Sequence, residues 1–273
     1  MANDVETNSV ERRRWNDERW VSVWPKREKL TGAVTAVFLD HLGLGEGENV
    51  LDVGSGAGGA TIAAARLVGG SGSVAGADIS ASLVDFARQR ALEQRVANVS
   101  FSVVDMQSES VHGAPFDVAM SQFGVMFFDE PATAFANIRR HLVPGGRLGF
   151  ACWQPPATNP WFVGPVVAPY APAPPPPPPG KSPTGPFSLA DPERVFDILA
   201  SSGWKGVEHD ALELVVHVDR EAIDDDGQLT FLGVPESSIE QAHAAVDEHL
   251  ETLTGGDGRI RASLAFQIFT ATA

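Results

Sequence analysis

Residues 50–59 read Val50-Leu51-Asp52-Val53-Gly54-Ser55-Gly56-Ala57-Gly58-Gly59, and the fold follows from how they are read. Val50 to Val53 has the length and apolar character of a short buried strand, and Ala60 to Val68 is alanine-rich and helical. The link between them is mostly glycine, which lets a backbone turn tightly and approach a ligand closely. The glycines fit two patterns. Gly54, Gly56 and Gly59 fit G-x-G-x-x-G, the dinucleotide fingerprint. Asp52 followed by Gly54, Gly56 and Gly58 fits D-x-G-x-G-x-G. A tight strand-to-helix turn calls for glycine even without a ligand. Asp52 sits inside an otherwise apolar strand, so its carboxylate needs hydrogen-bond partners, and the turn amides are the nearest donors.

Outward from this stretch the same pattern repeats. Ser73 to Ala77 reads as a second strand, ending in Asp78. Ser80 caps a helix with Leu83, Val84, Phe86, Ala87, Ala91 and Leu92 on one face. Val99 to Val104 is a third strand, ending in Asp105, and Phe116 to Met120 a fourth. Asp129 and Pro131 open a helix through Arg140, which Pro144-Gly145-Gly146 stops. Leu148 to Cys152 is the fifth strand. Strands alternating with helices predict a parallel sheet covered on both faces.

The flanks read differently. Residues 1–44 form an N-terminal helical cap. In it Trp15, Trp20 and Trp24 come close together, Pro25 interrupts, and Leu30, Val34, Val37, Phe38 and Leu42 follow at helical spacing. Residues 154–190 are a proline-rich insertion, with an unbroken run from Pro174 to Pro179. Such a run favours extended polyproline II and reads as a stiff surface loop; recognition by a proline-binding module is the alternative. Asp191-Pro192 starts another helix, ending at Gly203. Leu212, Leu214, Val216 and Val218 alternate as a strand. Ser237 and Glu240 form a capping box for a helix with Ile239, Ala242, Val246, Leu250 and Leu253 on one stripe. Leu264, Phe266 and Ile268 alternate in a closing strand. The whole of 1–273 reads as a single domain with about seven strands.

Composition narrows the function. The 273 residues are 43% hydrophobic and 20% charged, as in a globular protein with a sizeable core. Twenty basic residues against 35 acidic ones give a formal charge of −15, which argues against broad binding to nucleic acid or anionic membranes. Arg12, Arg13, Arg14, Arg19, Lys26, Arg27 and Lys29 cluster before Leu30, but Glu11, Asp17, Glu18 and Glu28 interleave with them, as on a solvated helix face. Cys152 is the only cysteine, so neither an intrachain disulfide nor a Cys-rich zinc site is available, and no metal is expected. No secretory or membrane-spanning apolar run stands out. A cytoplasmic protein, monomeric or homodimeric, is the expectation.

From Asn49 to roughly Cys152 the chain resembles the class I S-adenosylmethionine-dependent methyltransferases. Asp52-Val53-Gly54-Ser55-Gly56-Ala57-Gly58 resembles the family's first motif. Asp78 stands where the family places its ribose-binding acid, and Asp105-Met106 where the adenine is held. Phe116-Asp117-Val118 and Pro144-Gly145-Gly146 resemble its later motifs. Ser121-Gln122-Phe123-Gly124-Val125-Met126-Phe127-Phe128 and Cys152-Trp153 are similar to the small-molecule branch related to ubiquinone/menaquinone-biosynthesis methyltransferases. The resemblance implies a doubly wound, Rossmann-like seven-stranded α/β sheet in the order 3-2-1-4-5-7-6 with strand 7 antiparallel. It also implies S-adenosylmethionine as cofactor, with S-adenosylhomocysteine as product.

On that resemblance Gly54, Ser55, Gly56 and Gly58 bring backbone close to the methionyl chain, and Asp52 faces its ammonium group. Asp78 accepts from the ribose hydroxyls. Asp105 accepts from the adenine amino group between the apolar Ile79 and Met106. The carbonyls of Ser121 and Gln122 hold the ammonium. Aromatic side chains offer themselves to an apolar or aromatic acceptor: Phe123 after the fourth strand, Trp153 after the fifth, Trp161 in the insertion, and Trp20 and Trp24 in the cap. The insertion would lie near the acceptor pocket. The fourth strand ends in Ser-Gln-Phe-Gly and not in the Asn/Asp-Pro-Pro-Tyr/Phe type of many amino-methylating enzymes, which favours a small-molecule acceptor. The seven histidines read as structural or surface groups, His141 as solvated, and no general base is assigned. Two alternatives remain open at this point: an NAD(P)-dependent oxidoreductase, and a non-catalytic S-adenosylmethionine-binding protein.

Overall fold

Two helices lead into the sheet: the short α1 (Ser9–Trp15) and the long α2 (Arg19–Leu42). The computed structural model describes residues 7–173, 183–224 and 228–273, so the proline run 174–179 lies outside the described residues. The interruption expected at Pro25 does not occur, for α2 runs through it. Proline removes one backbone donor and crowds the carbonyl four residues back. Here that loss falls near the start of the helix, where Trp20 and Val23 pack with Ala57 and Leu83 and hold the turn in place. Gly43, at φ 54°, ends α2 in the left-handed conformation that a helix stop favours.

Seven strands form one sheet: β1 (Asn49–Val53), β2 (Ser73–Asp78), β3 (Val99–Val103), β4 (Phe116–Gln122), β5 (Leu142–Trp153), β6 (Lys205–Val218) and β7 (Ile260–Thr272). Their order is 3-2-1-4-5-7-6. The pairs from β3 to β5 are parallel, and β7 runs antiparallel to both β5 and β6, as expected. Helices α3 (Gly59–Val68), α4 (Ala81–Glu93) and α5 (Pro131–Arg140) make the crossovers. After β5 come α6 (Gly164–Val167) and α7 (Pro192–Ser201), and between β6 and β7 come α8 (Gln228–Phe231) and α9 (Ile239–Leu253). Phe38, Leu51, Phe116, Met120, Phe135, Phe150, Phe266 and Phe269 are fully buried in the core. Among the described residues no helix is long and apolar enough to cross a membrane, and no acid, histidine and cysteine cluster could hold a metal.

Several local expectations are met. Ser80 caps α4 by accepting from the Leu83 amide at 3.3 Å, and Asp191 caps α7 by accepting from Glu193 at 3.1 Å. Others are corrected. Pro144-Gly145-Gly146 lies within β5 as an irregularity, since the pairing skips from Phe116–Leu142 to Val118–Arg147. Strands β6 and β7 pair from Lys205–Thr272 to Val218–Ile260, well beyond the alternating cores read from sequence. The capping box at Ser237 is not formed: a 3₁₀ turn over Glu236–Ser238 leads into α9, and Ser238 makes no side-chain cap bond. Leu92 is 79% exposed, so the apolar face of α4 ends at Ala91. His141 is buried and not solvated; it accepts from the Val111 amide through Nε2 at 3.2 Å, and its Nδ1 lies 2.9 Å from the Asn137 carbonyl.

Candidate cofactor and acceptor site

The carboxyl ends of β1 to β5 open on one edge of the sheet, where open α/β folds bind ligands. A cavity of about 560 Å³ lies there, roofed by residues of α1, α2 and α8. Asp52, Gly54, Ser55, Asp78, Ile79, Asp105, Met106 and Gln122 line it, as do Trp20, Trp24, Phe123, Trp153 and Trp161. Gly56, Gly58 and Ser121 do not line it.

The turn explains why. Gly54 has φ 70°, and a Cβ there would lie 2.7 Å from the Gly124 Cα. At Gly56 a Cβ would lie 2.5 Å from the Trp24 ring, and at Gly58 2.8 Å from Phe101. Packing on three sides dictates these glycines. The Gly54 and Ser55 amides donate to the Ala77 carbonyl at 2.8 and 3.1 Å, and the Gly56 amide donates to Asp78 at 2.7 Å. Ser121 serves the frame: its hydroxyl donates to the Val53 carbonyl at 2.7 Å and accepts from Gly124 at 3.3 Å.

With the turn amides so used, Asp52 finds a partner sequence reading missed. The Thr61 hydroxyl donates to it at 2.6 Å. Burial, reinforced by the Asp78 charge against that hydrogen bond, pushes the Asp52 carboxyl up to about 7. Asp78 is also raised by burial, against the pull of the Ser80, Gly56 and Ile79 amides. Asp105 is 1% exposed. Its Oδ1 accepts from Asn8 at 2.8 Å and from the Gln107 amide at 3.0 Å, and Thr7 donates to Oδ2 at 2.8 Å. Its carboxylate therefore anchors the segment leading into α1, and an adenine amino group would share these oxygens. Two buried oxygens in the lining have no hydrogen-bond partner among the described residues: the Ser55 hydroxyl and Gln122 Oε1. Buried polar groups are rarely left without a partner.

Beside these groups the lining is aromatic. Phe123 adopts φ 63°, an uncommon conformation for a bulky residue, and stacks on Trp153 with centroids 3.9 Å apart and planes 9° apart. Trp161 meets Trp153 at 5.1 Å and 61°. Asn159, fully buried, fixes Trp161 by accepting from its indole N–H at 3.0 Å, while it also bridges to Ala265 on β7. Asn159 escaped the sequence reading because its partners lie on β7. Trp20 is largely a packing residue, 4.6 Å from Trp15 and 5.0 Å from Phe231. No histidine lines the cavity among the described residues; His209 faces Gln267, and His249 faces the Pro160 carbonyl.

Residues 50–146 match the family model described as "Methyltransferase domain". The chain resembles the class I S-adenosylmethionine-dependent methyltransferases. It is 36% identical over 104 residues to the aklanonic acid methyltransferase DauC of Streptomyces sp., covering 38% of this chain and 47% of that relative. It is 36% identical over 111 residues to the ubiquinone/menaquinone biosynthesis C-methyltransferase UbiE of Cellvibrio japonicus, covering 40% of this chain and 45% of that one. The match thus spans less than half the length of either curated relative. The fold is similar to that of a SAM-dependent methyltransferase from Aquifex aeolicus, with a TM-score of 0.56 at 18% identity, covering 94% of this chain and 99% of that one.

The residues fit the cofactor of such a methyltransferase. The orphaned Ser55 and Gln122 oxygens suit an amino-acid chain, Asp78 suits two hydroxyls, and Ile79 and Met106 suit a base. A dinucleotide would need its diphosphate at the amino end of α3. The Glu28 carboxylate lies beside that end, where a Cβ on Gly59 would strike it, and it would repel a diphosphate there. Among the interleaved charges of the cap, Glu28 carries no sequence signal of this position.

Proposed function

We propose that this protein transfers a methyl group from S-adenosylmethionine to a small, apolar or aromatic acceptor. The observation that carries the reading is a single cavity with two unlike halves: acids and orphaned polar oxygens at the ends of β1, β2 and β4, and the stacked Phe123–Trp153–Trp161 wall beside them.

S-adenosylmethionine supplies an electrophilic methyl group on a sulfonium, so the protein's part is alignment and exclusion of water. Asp78 holds the ribose end, its geometry set by the Gly56 and Ser80 amides. Ile79 and Met106 hold the base, with Asp105 accepting from its amino group. Asp52, Ser55 and Gln122 hold the amino-acid end. Gly54, Gly56, Gly58 and Ser121 shape the turn that carries these groups. Phe123, Trp153 and Trp161 hold the acceptor flat, and their faces favour a neighbouring sulfonium. Trp24, packed on Gly56, closes the cavity from α2. Trp20 supports that roof.

The names of the two curated relatives guide the acceptor panel: one acts on aklanonic acid, the other is a C-methyltransferase of quinone biosynthesis. Ligand-free protein should be incubated with methyl-labelled S-adenosylmethionine and a panel of quinols, phenols and aromatic acids. Transfer of label to one class is expected. Trp153→Ala should reduce that transfer about tenfold or more while leaving cofactor affinity within about threefold, since Trp153 belongs to the aromatic wall with Phe123 and Trp161 and not to the groups that hold the cofactor. Tight cofactor binding with no transfer across the panel would favour the non-catalytic alternative.

A further inference from the structure

Glu28 lies on α2 one helical turn after Trp24, and it lines the cavity beside the glycine turn. Its carboxylate abuts Gly59, the first residue of α3. Arg90 on α4 donates to its two oxygens at 3.2 and 2.7 Å and to the Ala57 carbonyl at 2.8 Å. Arg90 does not line the cavity, so the pair presents its negative member to a ligand and keeps its positive member behind the turn. A helix amino end attracts anions through its dipole and its free N–H groups. Here a carboxylate of the chain itself lies beside the first residue of such a helix, and Arg90 holds it there. The unpartnered Ser55 hydroxyl, 7% exposed, lines the same cavity and points to a ligand there.

We propose that Glu28 sets the charge of the group the site accepts beyond the ribose, favouring the ammonium and sulfonium of an adenosyl sulfonium and turning away adenosine phosphates. This rests on the S-adenosylmethionine reading above. A carboxylate held by Arg90 cannot swing clear of an incoming phosphate. It attracts an ammonium or sulfonium at the same distance.

The test is displacement of labelled S-adenosylhomocysteine by S-adenosylmethionine, adenosine, AMP and ADP, in the wild type, Glu28→Gln and Arg90→Met. In the wild type ADP should bind about tenfold or more weaker than adenosine. In Glu28→Gln that ratio should fall about fivefold or more, and S-adenosylmethionine should lose more affinity than adenosine. Arg90→Met breaks the ion pair but keeps the carboxylate, and should preserve or increase the ratio. An unchanged ratio in Glu28→Gln, or equal losses for every ligand in both variants, would overturn the proposal and leave the pair a tie between α2 and α4. Failure of the wild type to bind S-adenosylhomocysteine at all would instead remove the cofactor reading on which it rests.

Discussion

Asp52 shows how one side chain reports on the site. Its carboxyl, ordinarily at 3.8, is raised to about 7 in the folded protein. The folded state therefore keeps a proton that the unfolded chain releases. Stability from this group is full below the unfolded value of 3.8 and is lost as pH rises through about 7. The ligand-free protein should melt at a lower temperature at pH 8 than at pH 5, and Asp52→Asn should reduce that difference. Asp78 is shifted in the same direction, so part of the slope should survive. A slope unchanged in Asp52→Asn would mean that this carboxyl is not the titrating group. Gly54 makes a second test. Alanine there meets both φ 70° and the Gly124 backbone, and should cost about 2 kcal/mol in denaturant unfolding. A neutral effect would contradict the packing reading of the turn. The glycines were legible in the sequence as a pattern. Their causes were not, because Gly124, Trp24 and Phe101 approach from elsewhere in the chain.

Elements that depend on local signals were readable, and those that depend on distant partners were not. Ser80 and Asp191 announce their helices because a cap acts within three residues. The ends of β6 and β7 are set by their pairing with each other, which alternation over a few residues does not reveal. Ser80 also joins elements, since its hydroxyl donates to the Trp15 carbonyl of α1 at 2.6 Å. Ser80→Ala should therefore cost about 1 kcal/mol of stability. It should also loosen α1, read as increased quenching of tryptophan fluorescence by acrylamide; unchanged quenching would show α1 held elsewhere. Asn159 is the stronger junction, bonded to both backbone groups of Ala265 and to the Trp161 indole. Asn159→Leu should destabilise the protein by about 2–4 kcal/mol, because it strands buried backbone groups. A loss below about 1 kcal/mol would show that water or a neighbour replaces the amide.

At the scale of the molecule, the order 3-2-1-4-5-7-6 places every strand end that carries a candidate cofactor residue on one edge. That order was legible through resemblance, and the strand–helix alternation gave its parallel part independently. The helices of the roof were legible as an N-terminal cap carrying Trp20 and Trp24, but the contacts that fasten it were not. Asn8 reaches Asp105, and Glu11, held by Arg14, accepts from Thr184 at 2.6 Å, so the chain at α1 joins a strand end to the insertion across the cavity. Short polar residues at such separations leave no periodic signal. The excess of acid over base in the whole chain hides the same way how Glu28 and Arg90 are disposed about one turn. Calorimetric titration of ligand-free protein with S-adenosylmethionine, S-adenosylhomocysteine and NADH asks whether this edge holds an adenosyl sulfonium cofactor. Both adenosyl compounds should bind and NADH should not. Binding of NADH with neither adenosyl compound would rule out that cofactor.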